Sequence, residues 1–213
     1  MAEARTTLAE QFEELPQQRE ASILGMWTFL ATEVLFFGGM FLSYITYRSS
    51  YPDAFAEASK HTIVLFGTLN TGVLLTSSLT MVLAVHAIEE NNVKGLIRYL
   101  LCTIALAAAF LVIKGIEYHQ DLDEHLWPGR NFKPGLPPQA QIFWFLYWAM
   151  TGLHALHVTI GIVVLSCLAV LAKRGRFSGV YYNPVDVGAL YWHFVDIVWI
   201  FLYPLLYLIN RSS

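Results

Sequence analysis

Five unbroken apolar runs constrain this chain more than any other feature, because each is longer than the core of a soluble domain requires. They cover residues 23–47, 63–88, 96–116, 143–172 and 190–209. A bilayer core about 30 Å thick is crossed by roughly 20 helical residues rising about 1.5 Å each. The fourth run exceeds that length and requires tilt or a projecting end. Barrel strands would alternate apolar and polar residues over about ten positions, and no segment does so. The expected fold class is all-α: a polytopic membrane protein built as a bundle of five transmembrane helices. Of the 213 residues, 56% are hydrophobic and only 14% charged, where soluble domains carry roughly 25% charged residues.

Residues 1–22 form an acidic, polar N-terminal segment, and residues 23–210 a single membrane domain. The segment has neither the basic start nor the early apolar stretch of a signal peptide, so no cleaved leader is expected. Cys102 and Cys167 fall inside predicted helices and read as small packing residues. A net charge of −3 argues against nucleic acid. Five spans put the termini on opposite faces. The basic cluster Lys173, Arg174 and Arg176 occupies a short loop, where positive charge marks the cytoplasmic side. That places the N-terminus in the cytoplasm and the C-terminus outside. The same cluster could hold anionic lipid headgroups. The longest loop, 117–141, is rich in Pro and Gly in its second half. Its acidic start (Glu117, Asp121, Asp123, Glu124) and Trp127 are expected on the outer face.

Ionisable groups inside the apolar runs are the candidate functional residues, since a charge at mid-bilayer costs several kcal/mol unless neutral, hydrated or paired. Glu33 lies near the middle of the first run, as a proton-handling site or as a neutral carboxyl bonded between helices. Gly38 and Gly39 lie about a turn further on, where small residues permit close helix approach. His154 and His157 share a helix face with Gly161, and Glu33 is their most attractive partner. In the last run His193, Asp196, Ile200, Tyr203 and Tyr207 form one stripe, with His193 and Asp196 expected to couple. Two histidines could bind metal, but no third ligand of the right spacing accompanies them, and no nucleophile motif suggests a hydrolase. Lys114 and Glu117 are spaced to pair and to snorkel towards the headgroups. Asn70, Thr76, Ser77, Ser78 and Thr80 are the usual polar adhesive between membrane helices.

Several of these segments resemble subunit III of the haem-copper oxidases. Trp27-Thr28-Phe29-Leu30-Ala31-Thr32-Glu33-Val34-Leu35-Phe36-Phe37 is similar to the family helix bearing a buried, carbodiimide-reactive glutamate. Leu69-Asn70-Thr71-Gly72-Val73-Leu74-Leu75-Thr76-Ser77-Ser78 is similar to the next helix, and Glu117-Tyr118 to a Glu-Tyr pair after the third. Thr151-Gly152-Leu153-His154-Ala155-Leu156-His157-Val158-Thr159-Ile160-Gly161 matches the family's Thr-Gly-x-His-x-x-His-Val-x-x-Gly. Tyr191-Trp192-His193-Phe194-Val195-Asp196-Ile197-Val198-Trp199 matches its Trp-His-Phe-Val-Asp signature. The order is the family's, over nearly the whole chain. The longest members have seven helices; this chain lacks the first two, as shorter bacterial forms do.

The resemblance implies a non-catalytic core subunit with no haem, copper or catalytic centre of its own. It would pack beside catalytic subunit I, with subunit II, in a bacterial plasma membrane. There it would hold structural phospholipid and sustain proton uptake during aerobic electron transport by a cytochrome c oxidase. Phe29 and Glu33 are the candidates for lining a lipid cleft, and Glu33 would tune a neighbouring proton path. A sister subunit of a quinol oxidase or of a nitric oxide reductase shares these motifs and remains open. From a different class, a proton-coupled carrier could use Glu33, His157 and Asp196, and a membrane cytochrome could use His154 or His157 with His193.

Overall fold

The computed structural model describes residues 11, 12 and 14–209, which contain six helices and no strand. They are α1 (Leu15–Ser50), α2 (Pro52–Ser59), α3 (Val64–Glu89), α4 (Val93–Asp123), α5 (Ala140–Lys173) and α6 (Asn183–Tyr207). All but the short α2 are long and apolar enough to cross a membrane.

The helices outrun the apolar runs for local reasons. Pro16 and Pro184 occupy the first turns of α1 and α6, where a missing N–H costs nothing. Asn92 opens α4 by accepting a hydrogen bond from the Gly95 N–H at 2.9 Å, a standard N-cap. Asn91, at φ 58°, closes α3 just before it, so α3 and α4 form a tight antiparallel hairpin. α5 ends on Gly175 at φ +72°, and the Arg176 N–H reaches back to the Leu171 carbonyl at 3.1 Å. That is the left-handed stop favouring glycine. α4 continues about two turns past its apolar run, to Asp123. This overturns the expected acidic outer loop: Glu117 and Asp121 lie on a helix and face inward, with 1% and 2% exposure.

α3 packs against α4, α4 against α5, α5 against α6, and α6 back against α3. α6 is the most enclosed of the five spans, and its Trp192, Trp199, Leu202, Leu206 and Tyr207 form the middle of the core. Gly161 lets α5 approach it; a Cβ there would lie 2.6 Å from the Trp192 ring. α1 rests on the outside of this ring against α6 and α5, burying only Leu30, Phe37 and Tyr44. Gly38 and Gly39 were expected to admit a neighbouring helix, but a Cβ at either would meet nothing within 4 Å. The close glycine contact belongs to α5. Cys102 and Cys167 are free and exposed on the bundle's exterior.

Candidate functional site

Two acid centres stand out, one at the bundle's edge and one inside it. The first joins α1 to α5. His157 Nε2 lies 3.2 Å from Glu33 Oε2, and its Nδ1 lies 2.9 Å from the Leu153 carbonyl. The carbonyl can only accept, so Nδ1 carries a proton, and Nε2 is protonated or bare according to who owns the proton shared with Glu33. Tyr191 of α6 donates to the His157 carbonyl at 3.0 Å, and Phe29 packs on the Tyr191 ring at 6.2 Å. The Glu33 and His157 side chains keep 18% and 13% exposure, so the pair sits at the protein's edge. Phe37 touches the His157 ring at 5.4 Å. It also lines an open apolar groove of about 830 Å³ between α1 and α6, with Trp27, Leu30, Phe41, Phe194 and Phe201. Phe29 and Glu33 stand on the other flank of α1 and do not line that groove.

The second centre is denser. Lys114, Glu117 and Asp121 follow at i, i+3 and i+7 along one face of α4, and all point into the bundle. The three Lys114 ammonium protons go to Glu117 Oε2 at 3.0 Å, Tyr147 Oη at 2.9 Å and Tyr207 Oη at 2.6 Å. Tyr207 donates to Glu117 Oε1 at 2.7 Å. Tyr147 Oη lies 2.9 Å from Glu117 Oε1 and 2.9 Å from Asp121 Oδ2. Tyr118 donates to Thr151 Oγ1 at 2.8 Å, and the ammonium lies over the Tyr147 ring at 4.6 Å. The expected Lys114–Glu117 pair therefore exists, but it does not snorkel. Two helices, α5 and α6, supply hydroxyls that replace its hydration, the condition under which a buried ion pair is tolerated.

The remaining candidates are not gathered by either centre. His154 is fully buried between the rings of Phe110 and Trp199, at 5.5 and 5.1 Å, and neither ring nitrogen has a hydrogen-bond partner. His193 and Asp196 do not bond directly: His193 Nδ1 pairs with Ser78 Oγ at 2.8 Å, and the same Ser78 is the polar neighbour of the Asp196 carboxyl. The stripe they were expected to form also breaks at Ile200, which is exposed. Of the α3 hydroxyls, Ser77 accepts from Trp192 Nε1 and Thr80 meets Thr103, both at 2.8 Å. Asn70 is buried without a partner, and Thr76 bonds within its own helix. Lys173, Arg174 and Arg176 are exposed after α5. Among the described residues no group of three His, Cys, Asp or Glu side chains is placed to hold a metal ion.

Outside the spans, Glu124 accepts from Lys133 at 2.7 Å and lies 3.6 Å from His61. The Lys133 hydrogen bond holds its carboxyl below the usual range. Reading the sequence missed Asp121, Tyr147 and Tyr207 as partners of Lys114. The three-and-four spacing from Lys114 through Glu117 to Asp121 carried the signal, but it was cut at the end of the apolar run.

Five apolar spans with inward ionisable groups define a polytopic helical membrane protein. The chain belongs to the cytochrome c oxidase subunit III family, whose pattern it matches over residues 15–211. It is 31% identical over 191 residues to a cytochrome c oxidase subunit 3 of Thermostichus vulcanus, covering 89% of this chain and 88% of that one. A cytochrome c oxidase subunit 3 of Alkalihalophilus pseudofirmus is 33% identical over 190 residues, 88% of this chain and 86% of the relative. A quinol oxidase subunit 3 of Bacillus subtilis is 28% identical over 197 residues, 90% and 89% respectively. Family membership makes the chain a non-catalytic subunit of a haem-copper oxidase, associated with other oxidase subunits.

Proposed function

We propose that the chain is the third core subunit of a bacterial cytochrome c oxidase. It packs beside catalytic subunit I and with subunit II, holds structural phospholipid, and sustains proton uptake into the catalytic core. The haems and copper belong to the partner subunits. The N-terminus lies in the cytoplasm and the C-terminus outside, as the basic residues Lys173, Arg174 and Arg176 argue. The supporting observation is the Glu33–His157 contact at the protein's edge, one Phe37 ring away from an apolar groove. A carboxyl held by a single imidazole and still partly accessible can take up and release a proton. A carboxyl sealed inside the bundle cannot do so without opening. The groove is lined almost wholly by aliphatic and aromatic side chains, as an acyl chain requires, and the three exposed cations suit anionic headgroups.

The test is a mild-detergent pull-down of the tagged chain, with a reduced-minus-oxidised spectrum and oxygen uptake on reduced cytochrome c. An a-type haem signal with uptake, both impaired when this colourless subunit is stripped away, is expected. A quinol-oxidase role is the second reading, favoured by the 28% identity to the Bacillus subtilis subunit over the same span. It predicts turnover with quinol and none with cytochrome c. Recovery of the chain without any haem-bearing partner would overturn both.

A further inference from the structure

The Lys114 centre holds more polar contacts than its ammonium and two phenols have protons, and a carboxyl proton can make up the difference. Lys114 spends its three protons on Glu117, Tyr147 and Tyr207. Tyr207 spends its only proton on Glu117 Oε1. Tyr147 has a single hydroxyl proton, yet carboxyl oxygens of both Glu117 and Asp121 stand 2.9 Å from its oxygen. One phenol proton fills one of those contacts. The other would set two bare lone pairs against each other in a site nearly closed to water, unless that carboxyl is protonated and donates.

Charge balance reaches the same answer independently. The centre holds one cation and two carboxyls, and Lys114 and Glu117 are exposed by only 2% and 1%. A second uncompensated anion there would cost several kcal/mol. Glu117 touches the ammonium directly and accepts from Lys114 and Tyr207, so it is the anion. Asp121 is hydrogen-bonded to Tyr147, with the Lys114 ammonium within electrostatic reach but bonded to Glu117 instead. α5 presents Tyr147 and α6 presents Tyr207, and neither brings a second cation. Glu124, on the turn after Asp121, lies within electrostatic reach and carries its own cation, Lys133, at 2.7 Å.

We propose that Asp121 is a protonated carboxylic acid at neutral pH and that Asp121, Tyr147 and Glu117 form a proton-holding relay at the end of the bundle bearing the C-terminus. At rest the Asp121 O–H donates to Tyr147, and Tyr147 donates to Glu117. In the transfer step the Asp121 O–H bond breaks as its proton binds the Tyr147 oxygen, and the phenol's original proton passes to Glu117 Oε1. The charge moves to Asp121 and no other reactant is needed. The relay uses neither Glu33 nor the groove, so it stands or falls separately from the proton-uptake role.

The experiment is infrared absorption of the purified full-length chain at neutral pH in H2O and D2O, with Asp121→Asn against the parent. An amide reproduces one donor and one acceptor of a neutral carboxyl. The difference spectrum should lose a deuterium-sensitive carboxylic-acid carbonyl band. The melting temperature should stay within about 2 °C, while Glu117→Gln lowers it by roughly 10 °C. Loss of an ionised-carboxylate band instead would overturn the assignment. So would a failure of Asp121→Asn to fold, because the amide can make the hydrogen bond that the proposal requires. The spectrum of Asp121→Asn decides the matter even if Glu117→Gln cannot be purified.

Discussion

Glu117 and Glu33 are both acids on membrane-spanning helices of one small bundle, and they are held in opposite ways. Glu117 is 1% exposed and tied by an ammonium and phenols from α5 and α6. Glu33 keeps 18% of its side chain exposed and has one partner, His157, at 3.2 Å. The difference follows from where their helices lie. α4 is enclosed between α3 and α5, so a polar face on it must be answered by protein groups. α1 leans on the outside and leaves half its circumference uncovered, so an acid on it needs only one helper. A sealed acid stabilises a fold; an acid at an edge can exchange protons.

The largest expected effect breaks the sealed side. Lys114→Met nearly keeps the volume but leaves the buried Glu117 carboxylate without its cation, with only phenol partners, at a cost of about 3–5 kcal/mol. In thermal unfolding of the purified chain the loss should exceed that of any single change at Glu33 or His157. An unchanged melting temperature would mean that the Glu117 centre contributes nothing to holding α4, α5 and α6 together, and the comparison would collapse.

Much of this was legible in the residues. The five spans follow from run length, and the Glu33–His157 contact from the rule that a mid-span acid seeks a partner. Other features were hidden because hydropathy ends a span where the first charges appear. α4 runs on through Glu117 and Asp121 to Asp123, with Lys114, Glu117 and Asp121 on its inward face and Ile116, Leu122, His119 and Asp123 turned outward. Periodicity across that boundary, rather than average hydropathy, carried the signal. The His193–Asp196 pairing failed for a related reason. Three residues along a helix place two side chains on neighbouring faces without deciding which helix each meets, and Ser78 of α3 took His193. Nor does a glycine announce its neighbour: Gly38 and Gly39 face open space while Gly161 meets Trp192.

The edge acid gives a smaller effect and a sharper test of function. Glu33→Gln retains a group that can bond His157 while removing the exchangeable charge. The expected loss of stability is below about 1 kcal/mol, with the oxidase complex assembled and its turnover reduced modestly. His157→Ala should mimic the turnover change. Complete loss of turnover in an assembled complex would make Glu33 an obligatory carrier. A large loss of stability would place Glu33 with Glu117 as a structural acid.

The smallest effect comes from a third acid that water reaches freely, and it marks the far limit of the comparison. Glu124 is half exposed, and its hydrogen bond from Lys133 depresses its folded pKa below the ordinary 4.5. A depressed carboxyl stabilises the folded state fully above its unfolded pKa, and the contribution disappears as pH falls through the lower, folded value. Exposure and salt hold the effect to less than about 1 kcal/mol. Melting temperatures of the parent and Glu124→Gln should therefore differ slightly at neutral pH and converge as the pH falls below the carboxylate range, with the gap shrinking in high salt. Lys114→Met should show no such salt dependence, because its site excludes the ions that would screen it. If the two variants respond to salt alike, the Lys114 centre is open to solvent, and burial is not what separates these acids.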